Sequence, residues 1–141
     1  TIEQMVVLAF LMPIVASMGG NAGTQTMTVA VRAIALRQLN ATVATQFVLR
    51  ELIIAAVNGL IFSILAAALS FIWFGDKEIA LVMAVAVMAN LLVAGLSGTF
   101  VPVGLMRAGV DPAIASSVFV TTITDIVGFF IFLGLAALYL I

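Results

Sequence analysis

The sequence predicts an all-α polytopic membrane bundle with four transmembrane helices, and three observations carry that reading. Hydrophobic residues make up 65% of the 141 residues, whereas only 8% are charged. Soluble domains are roughly half apolar and about a quarter charged, so this chain would expose large apolar patches in water. Mean hydropathy is +1.39. Finally, the five Lys or Arg and six Asp or Glu cut the chain into uncharged runs, each near the roughly 20 residues that cross a bilayer as a helix. The runs lack the polar–apolar alternation of a barrel strand.

The spans fall at about 2–31, 52–74, 79–106 and 112–141, forming one transmembrane domain over 1–141. The first is predicted to be broken or kinked near Pro13 and Gly19-Gly20-Asn21-Ala22-Gly23. Proline removes a helical hydrogen bond, and irregular backbone at membrane depth is tolerated only inside protein or beside water. Gly20, Asn21, Thr24, Gln25 and Thr28 would then line a hydrated path, their neutral oxygens suited to the waters of a hydrated ion. Gly19 and Gly23 equally form a G-x-x-x-G pair suited to close helix packing. Both readings stand at this level.

In the second and third spans Asn58 and Asn90 read as helix bridges, the commoner role of a single membrane Asn. Arg50 and Glu51 read as interfacial anchors at the start of the second span. The fourth span opens on Asp111-Pro112, an N-cap followed by the residue best tolerated at the first helical position. Trp73 and Tyr139 stand at the opposite ends of their helices, as interfacial aromatics do.

Arg32, Arg37 and Arg50 lie between the first two spans and Arg107 between the last two, while Lys77 is flanked by Asp76 and Glu78. The positive-inside rule therefore makes loops 32–50 and 105–112 cytoplasmic and places both chain ends outside. Because no export signal is visible, an outside N-terminus predicts at least one span upstream.

Composition also excludes. There are no cysteines and no histidines, so thiolate chemistry, the commonest general base and the usual transition-metal ligands are missing. A net charge of −1 without a basic cluster argues against nucleic acid. Any bound metal would be held by oxygen, which favours hard cations.

Asp125 is the residue that topology leaves unexplained. It stands about 20 Å along its helix from Pro112, deep in the bilayer. A carboxylate there costs several kcal/mol unless solvated, paired or protonated. Its companion is water, a cation, a second copy of itself, or a neighbouring helix that takes a hydrogen bond from the protonated acid. Ser117, Thr121 and Asp125 are spaced by four and share one helix face. An enzyme would need a second catalytic group near Asp125, and none is present.

The string Met12-Pro13-Ile14-Val15-Ala16-Ser17-Met18-Gly19-Gly20-Asn21-Ala22-Gly23-Thr24-Gln25 resembles the P-x5-GGNAGTQ signature of the MgtE magnesium transporters and channels. Asp111-Pro112-Ala113 and Thr121-Thr122-Ile123-Thr124-Asp125 are similar to that family's DPA step and TT-x-T-D segment. The resemblance implies a homodimer of five-helix subunits, of which this chain matches helices two to five. It implies that the first helix, a cytosolic N-terminal domain and tandem CBS domains precede this segment. It further implies a Mg²⁺ pore on the dimer axis, with Asp125 binding the ion beside its symmetry mate. Thr121 would offer a backbone carbonyl, and Ser117 occupies a position where the family commonly has Asn or another small polar residue. Co²⁺ or Mn²⁺ would be the competing ions, and a prokaryotic inner membrane the expected location. Two rival readings are a proton-coupled secondary transporter using Asp125 as its proton carrier, and a structural subunit whose polar residues only join helices.

Overall fold

The computed structural model describes residues 2–39 and 41–141. Four helices follow in chain order: α1 (Ile2–Ala35), α2 (Ala41–Phe74), α3 (Lys77–Arg107) and α4 (Pro112–Tyr139). Each is long and apolar enough to cross a membrane. No strand occurs among the described residues.

The helix ends follow the local chemistry of the sequence. Arg37 adopts φ 55° just beyond α1, and Gln38 N–H donates to the Ala33 carbonyl at 2.9 Å. Gly75, at φ 68°, closes α2, its N–H donating to Phe71 O at 2.8 Å; a side chain would resist that left-handed backbone. Asp76 immediately caps α3 by accepting from Glu78 N–H at 2.8 Å. Gly109 (φ 79°) turns the chain after α3, and Asp111 caps α4 by accepting from Ala113 N–H at 3.0 Å. The Asp111-Pro112 start read from sequence is therefore present.

Of the break or kink expected in the first span, the break is absent. Helical backbone continues through Pro13 and Gly19-Gly23, so α1 is not broken there. Pro13 is exposed, which keeps its ring out of the packed interior. The glycines are used for contact with neighbours, so the helix keeps its hydrogen bonds where it is packed.

The third helix is the centre of the bundle. It packs against α1, α2 and α4, and α1 also packs against α4. Half of the most apolar window of α3 is buried, against 22–28% in the other three. The interior has two halves. Toward the Gly75 turn it is apolar: Leu8, Leu11 and Val15 meet Val82, Met83, Val87, Leu91, Phe132 and Ala136. Toward the Gly109 turn it is made of small and hydroxyl residues, among them Gly23, Gly95, Gly98, Ser97, Thr99, Ser116 and Thr124, all buried. Thr99 and Ser97 return their hydroxyls to Gly95 O (2.6 Å) and Ala94 O (3.3 Å) of their own helix. The outer surface is apolar, with Phe10, Ile53, Ile64, Leu69, Ile72, Trp73, Ile114 and Phe130 exposed. Such a surface is stable in hydrocarbon and not in water.

In lipid, helices associate through van der Waals contact and small residues rather than through the hydrophobic effect. Gly98 illustrates how close the backbones come. A Cβ at Gly98 would lie 2.7 Å from Gly23 O and 2.8 Å from Thr26 Cβ, whereas one at Gly104 would meet nothing within 4 Å. Gly98→Ala should therefore lower the unfolding midpoint in detergent, by roughly 1–3 kcal/mol of overpacking. Gly104→Ala should leave it unchanged or raise it, by about 0.5–1 kcal/mol of helix propensity. Equal midpoints for the two variants would contradict this packing.

Candidate functional site

The α4 cap fixes which way the polar positions of that helix point. Ser116, Val120, Thr124 and Gly128 are buried, so Ser117, Thr122 and Asp125 come to the outside, with Thr121 half-buried between the two sets. The hydroxyls are engaged within the helix. Thr121 Oγ1 donates to Ser117 O at 2.8 Å, Thr122 Oγ1 to Val118 O at 2.6 Å, and Thr124 Oγ1 to Thr121 O at 3.0 Å. This back-bonding takes the second lone pair of each of those helical carbonyls and leaves the hydroxyl lone pairs free to accept. Asp125 is thus an exposed carboxylate in the middle of a membrane-length helix.

On α1 the signature residues separate by face. Gly19 and Gly23 are buried, Gly20 and Thr24 half-buried, and Ser17, Asn21, Gln25 and Thr28 exposed. Thr24 Oγ1 donates to Gly20 O and Thr28 Oγ1 to Thr24 O, both at 2.8 Å. A Cβ at Gly20 would lie 3.9 Å from Thr124 Oγ1 and 4.0 Å from Thr121 Cγ2. The signature segment of α1 therefore runs beside the Thr121–Asp125 segment of α4, and two stretches that are about a hundred residues apart in sequence become neighbours.

Two of the predicted pore-lining residues also face a second helix. Asn21 and Gln25 also line a cavity of about 270 Å³ toward α2, with Met18, Asn58 and Phe62. An adjoining cavity of about 230 Å³ is lined by Gln25, Thr26, Arg50, Glu51 and Asn58. Glu51 is 5% exposed, so its side chain is packed inside the bundle, whereas Arg50 beside it is exposed. Helix α2 begins at Ala41, so Glu51 lies about three turns inside it. It enters the bundle where Gly95 of α3 has no side chain, and a Cβ there would lie 3.7 Å from Glu51 O. Adjacent opposite charges in the sequence hid this, because a charged pair at a span end ordinarily sits in the headgroups.

The bridging role read for Asn90 is present. Asn90 Nδ2 donates to Val15 O of α1 at 2.9 Å. Among the described residues, no cluster of three or more His, Cys, Asp or Glu could hold a metal. One copy of the chain brings the Asp125 carboxylate, hydroxyls and amides to the outer face of α1 and α4.

A bundle of membrane-length helices carrying a carboxylate and an amide stripe on an outer face defines an integral, multi-pass membrane protein with a built polar surface. Comparison with known sequences places it more narrowly. A sequence model of MgtE, described as a divalent cation transporter, matches residues 12–135. The magnesium transporter MgtE of Bacillus subtilis (strain 168) is 35% identical over 139 residues, 99% of this chain and 31% of the relative. Its Thermus thermophilus counterpart is 34% identical over the same shares, and that of Enterococcus faecalis 27%. The chain belongs to the MgtE family of divalent cation transporters, a family of transporters and not of enzymes. It spans about a third of the length of the relatives it matches.

Because the chain has no cysteine, single introduced thiols report water access cleanly. Asn21→Cys and Asp125→Cys should react with a membrane-impermeant thiol reagent, which needs thiolate and therefore water. Phe130→Cys and Ile64→Cys, both on the apolar surface, should stay unlabelled. Equal labelling at all four positions would rule out a hydrated polar face.

Proposed function

We propose that this chain forms the Mg²⁺-conducting part of its transporter. The carrying observation is the exposed Asp125 carboxylate midway along a membrane-length helix, on the segment whose Thr121 and Thr124 meet Gly20 of α1, and outside any cluster of three or more acidic, His or Cys residues among the described residues. Exposed to hydrocarbon alone it would cost several kcal/mol. A two-fold partner with a cation between the copies removes that cost, so the α1–α4 face is the homodimer axis. Two Asp125 side chains then present about −2 charges to the path.

Mg²⁺ keeps several waters because it dehydrates reluctantly and demands octahedral geometry. The ion is accordingly held through its water shell. Asp125 supplies charge, while Ser117, Asn21, Thr24, Gln25 and Thr28 accept hydrogen bonds from bound waters through their side-chain oxygens; the Thr121 carbonyl and the Gly20 backbone, which accept from the Thr124 and Thr24 hydroxyls, join them when those hydroxyls turn to the water shell. Selectivity follows from fit to the hydrated ion, with Co²⁺ and Mn²⁺ the competitors. The segments 32–50 and 105–112, which hold the α1–α2 and α3–α4 connections, face the cytoplasm of a prokaryotic plasma membrane. The remaining two thirds of the relatives' length leaves room for an upstream helix and cytosolic N-terminal and CBS regulatory domains on the same chain.

Mg²⁺ influx into liposomes containing the protein tests the reading. Asp125→Ala and Asp125→Asn each remove a charge interaction worth a few kcal/mol at close range. Either should lower the flux at fixed external Mg²⁺ by about tenfold or more, the equivalent of about 1.4 kcal/mol. Unchanged flux and affinity would defeat the assignment. Flux that stops when the pH gradient is collapsed, at constant Mg²⁺ gradient, would instead favour proton-coupled transport through Asp125.

A further inference from the structure

Asn90 occupies the junction of three helices. It is completely buried, at the boundary between the apolar half of the interior and the half built of small residues. Its amide fills the space that two glycines leave open. A Cβ on Gly19 of α1 would fall on Asn90 Nδ2, and one on Gly128 of α4 would come within 2.7 Å of the same nitrogen. The amide donates across to Val15 O at 2.9 Å, while its Oδ1 has no hydrogen-bond partner.

That arrangement is not the one that maximises stability. A buried acceptor left unpaired carries a desolvation cost, which an apolar side chain of similar volume would avoid. What the amide supplies instead is direction. One hydrogen bond to one carbonyl sets the register of α1 on α3, much as a single buried Asn sets register in a coiled coil. The levels match the proposed ion site. Gly19 precedes Gly20 and Asn21 in the signature, and Gly128 follows Asp125 by three residues, about 4.5 Å along the helix. Asn90 therefore sits behind the polar face, against the two helices that carry it, without reaching it.

We infer that Asn90 is a positioning residue for ion permeation: it fixes the spacing and register of the α1 signature segment against Asp125 of α4. The inference rests on the Mg²⁺ reading of Asp125 proposed above.

The test compares Asn90→Leu, which keeps the volume and removes the hydrogen bond, with Asn90→Ser, which is smaller and polar. Each variant is reconstituted in liposomes and normalised to folded protein by gel filtration in detergent. Mg²⁺ flux is measured against Mg²⁺ concentration, and Ca²⁺ flux in parallel. A positioning role predicts, for Asn90→Leu, a half-saturating Mg²⁺ concentration raised about fivefold or more, or Mg²⁺-over-Ca²⁺ discrimination reduced by a similar factor, the scale on which residues remote from a ligand tune its binding. Asn90→Ser should fall between Asn90→Leu and the unsubstituted protein. Curves that superimpose per folded molecule would overturn the inference, as would failure of both variants to fold, since Asn90 would then serve only the fold. Asp125→Ala is the control. If it leaves Mg²⁺ flux intact, the ion site and the inference both fall; if it abolishes flux while Asn90→Leu changes nothing, only the inference falls.

Discussion

The bundle depends on backbone-to-backbone contact between α3 and α1. Hydrocarbon supplies no hydrophobic force to pull apolar helices together, so association relies on dense contact and a few polar links. At Gly98 the α3 backbone lies against Gly23 O and Met27 N, and at Gly23 the α1 backbone meets Val120 of α4. These approaches join α1 to α3 and α4 to α1. Gly19, Gly20 and Gly23 each face a neighbouring helix, and this explains how α1 can carry them and remain helical from Ile2 to Ala35.

Centring the bundle on α3 determines what is left outside. Once Gly19, Gly23, Thr124 and Gly128 face inward, the helical repeat leaves Asn21, Thr28 and Asp125 on the outer surface. A carboxylate on the outside of a membrane bundle is expensive, and a single copy of the chain offers it no acidic, His or Cys cluster among the described residues. The polar face thus makes physical sense only against water, a cation or another copy. The same close packing leaves Asn90 with one satisfied and one unsatisfied polar atom, a compromise located one turn from Asp125.

Much of this was legible in the residues. Charge-free runs marked the spans, Asp111-Pro112 marked the start of α4, and the spacing of Ser117, Thr121 and Asp125 placed them along one side of it. Asn90 was recognisable as a bridge, since a lone amide in an apolar helix seldom has another use. Glu51 was not legible: beside Arg50 it resembled a headgroup anchor, and only the packed bundle shows that its side chain is buried. Nor was the division of the α1 stripe, with Gly20 turned toward α4 and Asn21 and Gln25 also lining cavities toward α2.

By itself the sequence determined the solvent, the number of crossings and the one carboxylate that lipid cannot accommodate, because each follows from composition and one-dimensional spacing. Tertiary structure decided which helix is central, that the glycine-rich segment stays helical, and that α1 meets α4 at Gly20. Those outcomes turn on which backbones can approach one another in three dimensions. A glycine reads the same in sequence whether it breaks a helix or receives a neighbour, and only the atom opposite its missing Cβ distinguishes the two.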